Sequence, residues 1–187
     1  MKKIIAMMLA LMLVLCLCAC GDDATNNDSS KNDNTADNGT NNTNNDGNGS
    51  TALSDTPVGY ALTVKGCTFG IGMDAEKVVA KLGEHELTKS ESCGAMGGND
   101  YDYNFGDYVI YANDGNGAIR IYSMSITSDL VETPEGLTIG STVEEVTGTL
   151  GQPTSQTATL LDYEKDGVVL RFSIDDDTVQ KIDYLEK

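Results

Sequence analysis

Apolar positions recur at two different periods along residues 56–187, and the switch between them divides the chain into elements. In "FGIGMDAEKVVAKLGEH", residues 69–85, Ala75, Val78, Val79 and Leu82 fall at helical spacing. In "LTIGSTVEEVTGTLGQP", residues 137–153, Val143, Val146 and Leu150 do the same. Thr142 followed by Glu145 fits a capping box, Asp74 can cap the first helix, and Gly83 and Gly151 stand where a left-handed C-terminal residue is wanted. Each helix should run for about ten residues, too short to stand alone in water, so each needs its apolar stripe laid on something flat.

After each helix the period drops to two. Strands are expected at 100–105, 108–112 and 118–127 behind the first helix, and at 157–164, 167–174 and 178–185 behind the second. The clearest of them sets Val168, Leu170, Phe172 and Ile174 on one face and Val169, Arg171 and Ser173 on the other, the pattern of a half-buried strand. "GD" at 106–107, "DG" at 166–167, "NDGNG" at 113–117 and "DDD" at 175–177 supply hairpin turns.

The two helical segments align with identities at Ile71/Ile139, Gly72/Gly140, Glu76/Glu144, Val78/Val146, Leu82/Leu150 and Gly83/Gly151. The expectation is therefore an α+β fold made of tandem helix-plus-three-strand units, repeat one at about 66–130 and repeat two at about 135–187, forming one antiparallel sheet with both helices packed on one face.

The N-terminal sequence changes where such a domain would reside. "MKKIIAMMLALMLVLCLCACGDD" has two lysines, then an apolar run of about 14 residues, short of the roughly 20 that a spanning helix requires, then cysteines and polar sequence. Cys20 follows Ala19, has Leu17 three places upstream and precedes Gly21. "LCAC" resembles a bacterial lipobox, which implies a signal peptide over 1–19, a lipidated Cys20 and a location outside the bacterial cell membrane, anchored by lipid. Residues 21–55 hold ten asparagines and seven aspartates with almost nothing apolar, so 20–55 reads as a lipidated cysteine and a disordered tether.

Charge and chemistry narrow the function further. Residues 56–187 contain 9 Lys plus Arg against 22 Asp plus Glu, a net charge of −13, which disfavours nucleic acid and anionic headgroups as partners. Cys67 and Cys93 can form a disulfide across a loop of about 26 residues, for which chain entropy would supply roughly 3 to 4 kcal/mol; the free thiols remain the alternative. "DYDYNFGD", 100–107, starts like a calcium loop, but Phe105 and Tyr111 occupy the positions that need glycine and a bidentate glutamate. His85 is the only histidine, and neither cysteine has the surroundings of a nucleophile. No cofactor, metal site or enzymatic activity is expected. Seven of the eight tyrosines lie on the expected strands, and tyrosine suits a surface that needs apolar area with a polar tip. The candidate binding face takes Tyr101, Tyr103, Tyr111 and Tyr122 with the tip residues Asp114, Asn116 and Asp176; the competing reading has most tyrosines closing the edge of the core.

The helix motif on Gly140, Thr142, Glu144, Val146, Leu150, Gly151 and Pro153, followed by an antiparallel meander, resembles the small domains grouped with the β-lactamase inhibitor protein and the SmpA/OmlA (BamE) lipoproteins. The resemblance implies a non-catalytic domain that binds a protein partner, as an inhibitor of an extracellular enzyme or as an envelope scaffold. A module that captures glycans or peptides at the cell surface is the alternative. Cys20→Ala is expected to move the chain from the membrane fraction to the soluble fraction; an unchanged membrane fraction on cell fractionation would refute the lipobox.

Overall fold

The structure is a computed structural model, and it describes residues 53–115 and 117–187. The expected signal peptide 1–19, Cys20, the expected tether as far as residue 52, and Asn116 lie outside the described residues. Elements run in the order β1 (Ala61–Val64), β2 (Cys67–Gly70), α1 (Ala75–Leu82), β3 (Glu86–Glu91), β4 (Asn99–Asn104), β5 (Tyr108–Asn113), β6 (Arg120–Ile126), α2 (Val143–Leu150), β7 (Ser155–Gln156), β8 (Leu160–Lys165), β9 (Val168–Asp175) and β10 (Thr178–Glu186). Strands β1 and β2 form a small hairpin, and the other eight form one antiparallel sheet in the order β3-β4-β5-β6-β10-β9-β8-β7.

This corrects the expected α+β class of helix-plus-three-strand units with helices packed on one face. The described chain is mostly β, with two helices of eight residues each and four strands of the large sheet after each helix. The additional strands are the sheet's two edges. Every residue of β3 and β7 is exposed, so neither strand has an apolar face for alternation to reveal. The β1–β2 pair turns through Lys65 (φ 51°) and Gly66 (φ 77°), a left-handed pair suited to a tight hairpin, and delivers Leu62 and Phe69 to the core.

Both helices begin as their sequences require. Asp74 Oδ1 accepts from Lys77 N at 3.2 Å, and Thr142 closes a full capping box with Glu145, each device supporting its helix by about 1 kcal/mol. Their ends differ from expectation in one respect: Gly83 (φ 97°, ψ −143°) and Gly151 (φ 81°, ψ −154°) adopt a positive-φ extended geometry rather than the left-handed helical one, a region open essentially to glycine alone. The segments entering the helices dock alike. Gly72 N donates to Ile121 O (2.9 Å) while Ile121 N donates to Met73 O (3.0 Å); Gly140 N donates to Val179 O (2.8 Å) while Val179 N donates to Ser141 O (2.9 Å).

The register places Tyr103, Ile110, Met124, Tyr184, Leu170 and Tyr163 in one row across six strands, all buried. This row, with Ala75, Val78, Val79, Leu82 and Val146 from the helices and Leu62 and Phe69 from the small hairpin, belongs to a single hydrophobic core. Two hydroxyls are misplaced in it. Tyr108 Oη and Tyr184 Oη are buried and have no hydrogen-bond partner among the described residues. Burial is the main reason the Tyr108 hydroxyl is pushed up to about 12 and the Tyr184 hydroxyl is raised further. Tyr163, in contrast, donates to Gly151 O at 3.1 Å and so satisfies a carbonyl at the end of α2.

An unsatisfied buried hydroxyl costs about 1 to 3 kcal/mol, whereas a made hydrogen bond contributes about 1 kcal/mol. Tyr184→Phe should therefore leave stability unchanged or raise it, and Tyr163→Phe should lower it by about 1 kcal/mol, in urea unfolding of the two variants against wild type.

Candidate binding face

Because side chains alternate along a strand, the sheet that buries one row must present the next on its other face. That far face carries Asn104, Val109, Ser125, Asp183, Arg171 and Asp162 in one row, and Asp102, Tyr111, Ser123, Leu185, Val169 and Glu164 in the row beside it. Val169 is 9% exposed, yet it is not part of the hydrophobic core, and Val109, Tyr111, Tyr122 and Leu185 do not pack against that core either. A register shift between Tyr111 and Ala112 leaves Tyr122 as an extra residue in β6, so Tyr122 and Ser123 both line the far face. The same kind of shift occurs in β10 between Val179 and Lys181.

A shallow depression of about 330 Å³ lies at the centre of this face, walled by Tyr111, Tyr122, Ser123, Ser125, Arg171, Lys181, Asp183 and Leu185. Ion pairs frame one side of it. Arg171 donates from Nε and Nη2 to the two oxygens of Asp162, both at 2.7 Å, which raises its already high pKa. Asp183 accepts from Ser125 Oγ across the β6–β10 pairing and lies 2.8 Å from Lys181 Nζ. Toward β4, Asp100 and Asp102 form no ion pair among the described residues. Burial and the neighbouring Asp100 raise the Asp102 carboxyl, and burial together with Asp100, Asp102 and Tyr111 raises the Tyr122 hydroxyl.

The expected binding residues divide among different environments. Tyr111 and Tyr122 are half-buried on the far face. Tyr101 and Tyr103 are not; at 8% and 4% exposure they belong to the core, because their positions on β4 put them in register with Ala112 and Ile110. Tyr103 lies 6.3 Å from Tyr101 in a stacked pair and 5.3 Å from the His85 ring edge-on, while Lys89 Nζ sits 4.8 Å from the centre of the Tyr101 ring. Asp114 clamps its own loop, accepting from Asn99 N (2.6 Å), Asn99 Nδ2 (3.0 Å) and Tyr101 Oη (2.7 Å). Those donors hold its carboxyl down at about 2. Asp176 occupies the exposed β9–β10 turn at φ 46°, where it joins none of the groups above. Asn116 is outside the described residues.

The proposed Cys67–Cys93 bridge is not formed, and both are free thiols. Cys67 begins β2, packed against the core, whereas Cys93 is exposed in the loop that leaves the edge strand β3. His85 serves a local purpose, with Nδ1 2.9 Å from Gly83 O. No group of three or more His, Cys, Asp or Glu positioned to hold a metal ion occurs among the described residues. Sequence reasoning missed Arg171, Ser123, Ser125 and Asp183 as members of one face. The alternation of Val169, Arg171 and Ser173 pointed to Arg171, but the pairing of β6 with β10 that brings in the other three leaves no local trace.

Asp114 makes the loop acid-sensitive in a definite direction. A carboxyl whose pKa falls from 3.8 to about 2 on folding stabilises the fold fully above its ordinary value and loses that contribution as pH drops toward 2. Asp114→Asn should be less stable than wild type near neutral pH, with the difference narrowing below the ordinary carboxylate value and lost as pH falls through about 2, in urea midpoints measured across that range.

No protein family matches the sequence, and no curated protein matches it. Among solved structures, the crystal structure of the uncharacterised protein yfeY from Escherichia coli is similar over 73% of this chain and 100% of that one, at 15% identity and a TM-score of 0.39. That likeness is too distant to support a statement about fold or function, and it does not point to the β-lactamase inhibitor or SmpA/OmlA lipoproteins.

Proposed function

We propose that the chain is a bacterial surface lipoprotein, anchored through Cys20, whose domain binds another protein non-catalytically on the far face of the eight-stranded sheet. The observation that carries this reading is the grouping of Tyr111, Tyr122, Val169 and Leu185 on a face whose apolar side chains take no part in the core. Interfaces favour such a composition, in which aromatic side chains at the centre supply apolar area at small entropic cost and a polar rim provides orientation. Arg171, Asp162, Lys181 and Asp183 form such a rim, with geometry fixed by their own ion pairs. Holding a partner at the cell surface suits both an inhibitor of an extracellular enzyme and a scaffold for an envelope complex.

The test is capture of partners by the full chain from the medium and envelope of its own cells, with wild type beside the Tyr111→Ser/Tyr122→Ser double variant. A protein retained in stoichiometric amount by wild type and reduced about tenfold or more by the variant, at unchanged melting temperature, is the expected result. Retention of glycan without a protein, or of a protein indifferent to the two tyrosines, would refute the reading.

A further inference from the structure

We propose that β3 is a docking edge for β3 of a second copy of this chain, the two strands pairing antiparallel about Thr88 and joining two eight-stranded sheets into one. This edge lies apart from the far-face depression and is independent of what binds there. The two edges of the sheet are protected unequally. The β7 edge is two residues long and follows closely on Pro153, which has no N–H to offer an incoming strand. The β3 edge is six residues long, Glu86–Glu91, without proline, and its pairing with β4 has no bulge.

The register shows which backbone groups β3 leaves open. Ser92 N donates to Gly98 O at 3.0 Å, so by the alternation of an antiparallel ladder Glu86, Thr88 and Ser90 turn their N–H and C=O groups toward β4. Leu87, Lys89 and Glu91 turn theirs away, and those groups have no hydrogen-bond partner among the described residues. A lysine that stands across an edge strand deters pairing. Lys89 does not stand across it, because its Nζ is folded back over the Tyr101 ring of β4, 4.8 Å from the centre. Near it Leu87 is 53% exposed, an apolar side chain beside open backbone.

The strand's own sequence selects a second copy as the occupant. When two copies pair with their cores on the same side, residues that meet must both point to the core face or both to the far face, so each register is centred on one residue meeting itself. Centring on Leu87 overlaps only 86–88, centring on Ser90 only 89–91, and centring on Lys89 sets two ammonium groups opposite one another. Centring on Thr88 overlaps 86–90 and opposes no like charges: Glu86 meets Ser90, Leu87 meets Lys89 and Thr88 meets Thr88. Leu87 and Lys89, whose backbone groups are open, then exchange both hydrogen bonds with Lys89 and Leu87 of the second copy. The lysine stem lies against the exposed leucine, and the two threonines make a favourable cross-strand pair. Both domains are acidic, but at physiological salt that repulsion is screened beyond a Debye length of about 8 Å, so the charges that face each other at the junction decide. Pairing in this way keeps both far faces on one side of a continuous sheet, and the dimer presents the Tyr111 and Tyr122 surface twice, side by side.

Cysteine cross-linking of the full chain, produced in its own cells, tests the register. Residues that meet at Thr88 form a non-hydrogen-bonded pair with Cα atoms about 4.5 Å apart, which suits a disulfide. In a Cys93→Ser background, Thr88→Cys oxidised with copper phenanthroline should give a reducible dimer of twice the chain's mass. Ser90→Cys, which faces Glu86, should give about tenfold less, and Cys93→Ser alone should give none. Lys89→Pro removes an outward N–H and spares the bonds to β4, at a place where an edge strand tolerates proline. Added to Thr88→Cys, it should cut the dimer about tenfold or more with the melting temperature kept. A Thr88→Cys chain that stays monomeric, a dimer formed equally by Ser90→Cys or by Cys93→Ser alone, a product of another mass, or a dimer indifferent to Lys89→Pro would overturn the proposal. Should Lys89→Pro fail to fold, the contrast between Thr88→Cys and Ser90→Cys decides alone.

Discussion

Every strand of the large sheet pairs with its neighbour in the chain except at one seam, where β6 meets β10. There Ile126, Ser125, Met124 and Ser123 face Ile182, Asp183, Tyr184 and Leu185. On the core side the seam joins Met124 to Tyr184 and Ile126 to Ile182, all with no exposure; on the far side it joins Ser125 to Asp183. Without this pairing the chain would be two four-stranded meanders, each with a half-covered core. The entropic cost of closing a long loop is therefore met once, at a seam whose core-side residues are fully buried, and the remaining pairings of the large sheet are local hairpins. The seam also creates the candidate site, since Tyr111, Tyr122 and Ser123 come from one side of it and Arg171, Lys181 and Asp183 from the other.

The row through Tyr103, Ile110, Met124, Tyr184, Leu170 and Tyr163 lies on the face of the sheet that is buried in the core, together with Leu62 and Phe69 of the small hairpin. The other face must be made tolerable to water in some different way, and here the charged ladder through Asp162, Arg171, Asp183 and Lys181 does so while leaving tyrosines between its charges. Five of the nine cationic residues in 56–187, namely Lys77, Arg120, Arg171, Lys181 and Lys187, are engaged in ion pairs, so the excess of carboxylates remains on the surface as a net field. Such a field adds little to stability, but it favours solubility and selects basic partners.

Much of the local structure was readable in the residues. The capping box at Thr142 and Glu145, the stop at Gly151 and the alternation of Val168, Leu170, Phe172 and Ile174 all report contacts close in sequence, and each forms where the sequence placed it. The edge strands were not readable because Glu86–Glu91 and Ser155–Gln156 make backbone pairings without burying side chains, and apolar period is a record of burial. The site was readable only in part for a related reason. Tyr101 and Tyr111 look alike in composition, and what separates them is register: Tyr101 faces Ala112 inside the core, while Tyr111 faces Ser123 outside it. Tyr122 depends on a bulge, a one-residue insertion with no distinctive sequence of its own.

Ser54 is tied to the centre of the large sheet through the entry to α1. Ser54 N donates to Gly72 O at 2.9 Å in a parallel bridge, and Gly72 and Met73 are in turn hydrogen-bonded to Ile121 of β6. Traction on the polypeptide ahead of Ser54 is thus passed through the entry to α1 into a central strand, bypassing the polar edge strands β3 and β7 that would peel away one hydrogen bond at a time. A pull on Ser54 would be met at the middle of the sheet rather than at its edges.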